Sequence, residues 1–169
     1  MKRSQFPWLA AIGFLLVFPF FLNRRFRVVR RVVVRAHPAT VYPFLANLKN
    51  WPLWIPSLGD RVEYLKCSGD EEGPGAVVRH EGCCGDGNIR IRHVRPDERV
   101  AFEVEGGGYE IEGIVSLEPV DEMTRITLVC MWTPREMPYA RYFDLALKIW
   151  LKRETALALT ELQLLVEEA

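Results

Sequence analysis

Apolar positions change their period along this chain, and each change marks an element. Phe6 to Leu22 is an unbroken run of seventeen residues with no charge and no polar side chain. At about 1.5 Å per residue it makes a helix of roughly 26 Å, at the short end of what spans a bilayer core. Pro7 falls in a tolerated first turn, and Pro19 kinks the far end without excluding a span. From Phe26 to Ala36 the period drops to two, with Val28, Val32 and Val34 on one face and Arg27, Arg31 and Arg35 on the other. This predicts a first strand.

Pro38 then opens a short helix over 39–48, and the proline-broken aromatic stretch Asn50 to Pro56 supplies a further helical turn. Six strands are predicted next, near 61–67, 75–84, 88–95, 99–105, 109–118 and 124–132. Turn residues separate them, among them Gly73-Pro74-Gly75, Asp86-Gly87, Pro96-Asp97 and Gly106-Gly107-Gly108. From Pro138 to Glu167 there is neither glycine nor a further proline, which predicts one helix of roughly 45 Å. Its apolar stripe reads Tyr142, Leu145, Ala146, Ile149, Trp150, Ala156, Leu159, Leu162 and Val166, expected to pack across the concave face of the sheet.

Register follows from the turns. A two-residue hairpin at Asp86-Gly87 sets His80 opposite His93 and Glu81 opposite Arg92. Continuing through Pro96-Asp97 sets Ile91 opposite Phe102 and Arg90 opposite Glu103. Ile89, Ile91, Phe102, Val104, Tyr109 and Ile111 then share the inner face with the two histidines. The arginines and glutamates form a solvated outer face.

Charge sharpens this picture. The formal net charge is zero, yet residues 1–35 hold eight of the 22 basic residues and none of the 22 acids. A basic stretch beside the apolar run, joined to an acidic body, favours anionic lipid over nucleic acid. An export signal needs small residues at its cleavage site, and Phe20-Phe21-Leu22-Asn23-Arg24 has none, so the run is read as a retained anchor. Six basic residues between 23 and 35 place the body on the cytoplasmic side of a single-pass protein. Residues 1–24 are thus expected to be the anchor and 25–169 one domain.

The chemistry is sparse. Cys67, Cys83, Cys84 and Cys130 match neither a metal-binding spacing nor a dense disulfide framework. His80 and His93 lack a third ligand within reach, since Cys84 stands about 13 Å along the strand, so no metal and no cofactor is expected. No nucleophile arrangement or phosphate-binding glycine loop is present to nominate a catalytic residue.

The segments FRVVRRVVVRAHPATVYPFLANLKNWPLWIPS, GPGAVVRHEG and RPDERVAFEVE, with the terminal helix from PYARYF onward, resemble the START/Bet v 1-like (SRPBCC) superfamily. Within it the chain is similar to polyketide cyclase/dehydrase-like proteins with an amino-terminal anchor. The resemblance implies an α+β helix-grip fold, a seven-stranded antiparallel sheet wrapped around a long carboxyl-terminal helix, behind the amino-terminal transmembrane helix. It also implies a cavity for a lipid or other hydrophobic small molecule. Candidates for its wall are Trp51, Trp54, Ile91, Phe102, Tyr109, Ile111, Trp132, Tyr142 and Ile149, with His80 and His93 as polar handles. The expected role is membrane-tethered ligand binding without chemistry. Two alternatives are a cyclase or dehydratase using the histidines as acid/base groups, and an assembly factor at the membrane.

Overall fold

The computed structural model describes residues 25–59, 62–63, 72–82, 85–133 and 140–168. The expected anchor, Phe6 to Leu22, therefore lies outside the described residues. Among the described residues no helix is long and apolar enough to cross a membrane.

The elements run β1 (Phe26–Val34), α1 (Pro38–Ala46), a 3-10 turn (Leu48–Asn50), α2 (Trp51–Trp54), β2 (Val62–Glu63), β3 (Val77–Gly82), β4 (Gly85–Arg95), β5 (Arg99–Gly106), β6 (Tyr109–Val120), β7 (Met123–Trp132) and α3 (Ala140–Glu168). The strands form one antiparallel sheet in the order β1-β7-β6-β5-β4-β3-β2. Six of them are six residues or longer, and β2 adds two residues at one edge. The long helix covers the concave face, as the α+β helix-grip reading requires.

Local chemistry explains how the chain leaves β1 and folds through α1 and α2. The His37 ring accepts a hydrogen bond from the Ala39 amide and Pro38 fills the first helical position, so α1 starts there. The indole nitrogens of Trp51 and Trp54 donate to the carbonyls of Leu45 and Phe44 at 3.0 and 3.1 Å, satisfying the end of α1 while burying both rings. Asn50 donates to the Pro43 carbonyl at 3.1 Å and fastens the same joint.

One register differs from expectation. β3 and β4 pair with Gly82 opposite Gly85, so His80 stands opposite Gly87 and Glu81 opposite Asp86. The connection falls three residues earlier than Asp86-Gly87, which lie within β4. Burial decides this: the observed register puts Val78, 1% exposed, against Ile89, 3% exposed. The expected one would have set Val78 opposite Arg95. A local turn signal loses to the pairing of two core residues. The β4–β5 register is as read from the sequence, with Ile91 opposite Phe102 and Arg90 opposite Glu103.

The helix stripe is also rotated from expectation. α3 buries Asp144, Leu147, Leu151, Thr155, Ala158, Leu159, Leu162 and Val166, a run at three- and four-residue spacing. Leu145 and Ile149 face outward. Two buried polar residues make this stripe look less apolar than it is. The Asp144 carboxylate accepts from the Trp132 indole at 3.3 Å, and the Thr155 hydroxyl donates to the Leu151 carbonyl at 2.6 Å.

Candidate functional site

Between the sheet and α3 lies a cavity of about 330 Å³, within the lower range for small-molecule sites. Its floor is the inner face of β4 to β7, through Ile89, Phe102, Val104, Ile111, Leu128 and Cys130. Its roof is α3, through Leu147, Trp150, Leu151, Glu154, Thr155 and Ala158. Trp51, Trp54, Ile55, Ser57 and Leu58 close one side, and Gly106 and Tyr109 at the β5–β6 hairpin reach the other.

Alternation along each strand builds this floor, because every second residue faces the helix. The walls are fixed by aromatic contacts. Trp51 meets Phe102 edge to face with centroids 4.8 Å apart, and packs against Trp54 at 5.5 Å. Polar groups are few, and two of them are engaged within the protein. Glu154 accepts from the Ser57 amide at 2.8 Å and ties the segment after α2 to the helix. The Thr155 hydroxyl is occupied by the turn above it. Burial pushes the Cys130 thiol up to about 12, so it stays protonated and acts as a small apolar group.

Of the wall residues read from the sequence, Trp51, Trp54, Phe102, Tyr109 and Ile111 come together around the cavity. Ile91 is fully buried in the core beside it. Trp132 is buried at its end, stacked on Phe26 at 5.2 Å and hydrogen-bonded to Asp144. Tyr142 is half-buried in the first turn of α3. Ile149 is 64% exposed on the outward face and is no part of the wall.

The histidine pair is corrected too. The register shifts between Ile91 and His93, and this bulge turns His93 to the outer face opposite Ala101, where it is exposed. His80 pairs through its backbone with Gly87 and Val62, and its side chain lies outside the described residues. The pair facing each other under the helix is not formed. Among the described residues no group of three His, Cys, Asp or Glu side chains is placed to hold a metal ion.

Sequence reasoning missed Leu147, Leu151, Cys130, Thr155 and Glu154. The first two were findable from the spacing 147, 151, 158, 162. Glu154 carried no signal, because its role depends on Ser57, 97 residues away.

On the outer face Glu103 is buried and ion-paired with Arg92. A hydrogen bond from Glu110, then Arg92, hold its carboxyl below the usual range, and the same contact with Glu103 raises Glu110. This cluster lies across the sheet from the cavity.

Comparison with known proteins agrees with this geometry. Residues 25–167 match the family model described as polyketide cyclase / dehydrase and lipid transport. A comparison with curated proteins finds no match. Among solved structures, the Zhui aromatase/cyclase from Streptomyces sp. R1128 is similar with a TM-score of 0.68 and 19% identity, over 85% of this chain and 94% of that one. Protein MLL2253 from Mesorhizobium loti gives 0.63 and 10%, over 85% and 98%. Ara h 8.0201 gives 0.61 and 15%, over 86% and 99%. At these identities the likeness is one of fold.

Proposed function

The chain belongs to the polyketide cyclase / dehydrase and lipid transport family, and from that premise we propose that it is a membrane-tethered binding protein for a hydrophobic small molecule or lipid. One observation carries the reading: the cavity is lined mainly by aromatic and aliphatic side chains, and two of its few polar side chains, Glu154 and Thr155, are tied to the protein itself. Such a site rewards burial of apolar surface, at about 25 cal/mol per Å², and offers a few anchors to one polar end. Of the two histidines that a cyclase or dehydratase reading offered as acid/base groups, His93 lies on the outer face and drops out.

The tether is the run Phe6 to Leu22, an assignment that rests on its length, its apolar composition and its basic flanks. The same charge count supports a cytoplasmic body. Full-length protein should stay in the membrane fraction after a carbonate wash. Organic extracts of the gently purified protein should contain an apolar molecule near one per chain by mass spectrometry. Recovery in the wash would remove the tether, and extracts free of any such molecule would remove the binding role.

A further inference from the structure

We propose that the outward face of the first half of α3, where that helix lies against the start of β1, is the surface by which this domain lies on an anionic bilayer. The proposal rests on the reading of Phe6 to Leu22 as a tether. Phe143, Ile149 and Leu145 are 70%, 64% and 38% exposed. Single exposed apolar residues are ordinary, but Leu145 and Ile149 stand one turn apart on the face turned away from the buried stripe and form a small patch, while Phe143 projects from the other flank of the helix.

Charge runs the same way. From Ala140 to Arg153 the helix carries Arg141, Lys148, Lys152 and Arg153, and its one acid, Asp144, is buried. From Glu154 to Glu168 it carries four glutamates and no base. α3 is therefore apolar and basic at one end and acidic at the other. The basic end lies against β1. The Lys148 ammonium stands 5.6 Å from the centroid of the Phe26 ring, and Arg30 donates to the Lys152 carbonyl at 3.0 Å. Arg27 and Arg31 are exposed on the other face of this edge strand, lining a shallow groove with Val29 and Arg30.

This end of the domain is also where the apolar run must arrive. Only Asn23, Arg24 and Arg25 separate Leu22 from Phe26, a reach of about 14 Å at full extension. Phe26 pairs with Trp132, and Trp132 with Ile111 of the cavity floor. Gly106 and Tyr109, which close the adjoining hairpin, line the cavity together with Leu147 and Trp150. A tether at Phe26 thus holds the cavity's hairpin end, the exposed patch and the cations close to the headgroups. The chain's own apolar run is a poorer occupant, because Arg24 and Arg25 would approach Lys152 and Arg153. A second copy would set those cations face to face. Anionic lipid answers both the apolar and the charged features.

The test uses the full chain in vesicles of phosphatidylcholine with phosphatidylglycerol. The photo-crosslinking residue p-benzoyl-phenylalanine replaces Leu145 or Ile149, or Arg99 at the opposite end of β5 as a control. Lipid adducts at 145 and 149 should exceed those at 99 by about tenfold. They should fall about fivefold for each basic residue lost in Lys152→Gln and Arg153→Gln. Adducts with residues 6–22, with a second copy, or none at either position in protein that resists a carbonate wash would overturn the docking face alone. Protein washed out of the vesicles would overturn the tether and the docking face together.

Discussion

The ring of Phe102 lies on the backbone of Gly113, its cross-strand partner, so closely that a methyl group at position 113 would occupy the ring's own space. Glycine here is an absence that holds an aromatic wall in place. The same ring meets Trp51 edge to face, so its position sets the boundary between the sheet floor and the tryptophan side of the cavity.

Gly113→Ala should therefore push Phe102 toward Trp51 and cost about 1–3 kcal/mol by overpacking. Phe102→Leu in the same chain should recover part of that loss. Denaturant unfolding of the two single variants and the double variant measures the coupling. Additive effects would show that the ring does not depend on Gly113.

Ala158 sits in the roof with its methyl group facing the cavity and is 3% exposed. Ala158→Leu extends into open space, so it should keep the melting temperature at or above that of the wild type. It should also lower the amount of any copurified apolar molecule several-fold. Full occupancy in this variant would place the molecule elsewhere.

Much of this fold was legible because its periods are clean. Val28 and Val34 against Arg27 and Arg31 announce β1, and Pro96-Asp97 with its flanking apolar pair gives the Ile91–Phe102 register. The misreadings share a cause: a local signal outranked by distant packing. Asp86-Gly87 is a good hairpin turn, but Val78 has to meet Ile89. The bulge after Ile91 inverts His93 and leaves no trace in composition. On α3, Asp144 and Thr155 disguise the buried stripe because their partners, Trp132 and the Leu151 carbonyl, come only with the folded structure. Ile149 advertises a core position on a face that has none.

The Cys130 thiol gives a quantitative check on how dry the cavity floor is. With its pKa pushed up to about 12 by burial, its thiolate fraction at pH 8 is on the order of a thousandfold below that of a free cysteine. Alkylation by iodoacetamide, followed at Cys130 by peptide mass spectrometry, should be slower by at least that factor in the native protein and normal in denaturant. Rapid native alkylation would mean that water enters the cavity freely.

The carboxyl pair on the outer face makes stability depend on pH in a defined sense. Glu103 is depressed by its hydrogen bond with Glu110 and by Arg92. Its contribution is therefore present above the ordinary glutamate pKa and is lost as pH falls through the lowered value. Glu110 is raised, first by its hydrogen bond to Glu103 and then by that group's charge. Its contribution is complete below the ordinary value and is lost as pH rises through the raised one, where two carboxylates face each other. Glu110→Gln supplies a neutral donor to Glu103 at every pH. The variant should melt with the wild type in acid, then increasingly above it as pH climbs through the raised Glu110 pKa, and keep a constant advantage beyond. Thermal unfolding across that range measures the difference directly. A difference that does not change with pH would mean that the two carboxyls do not share a proton.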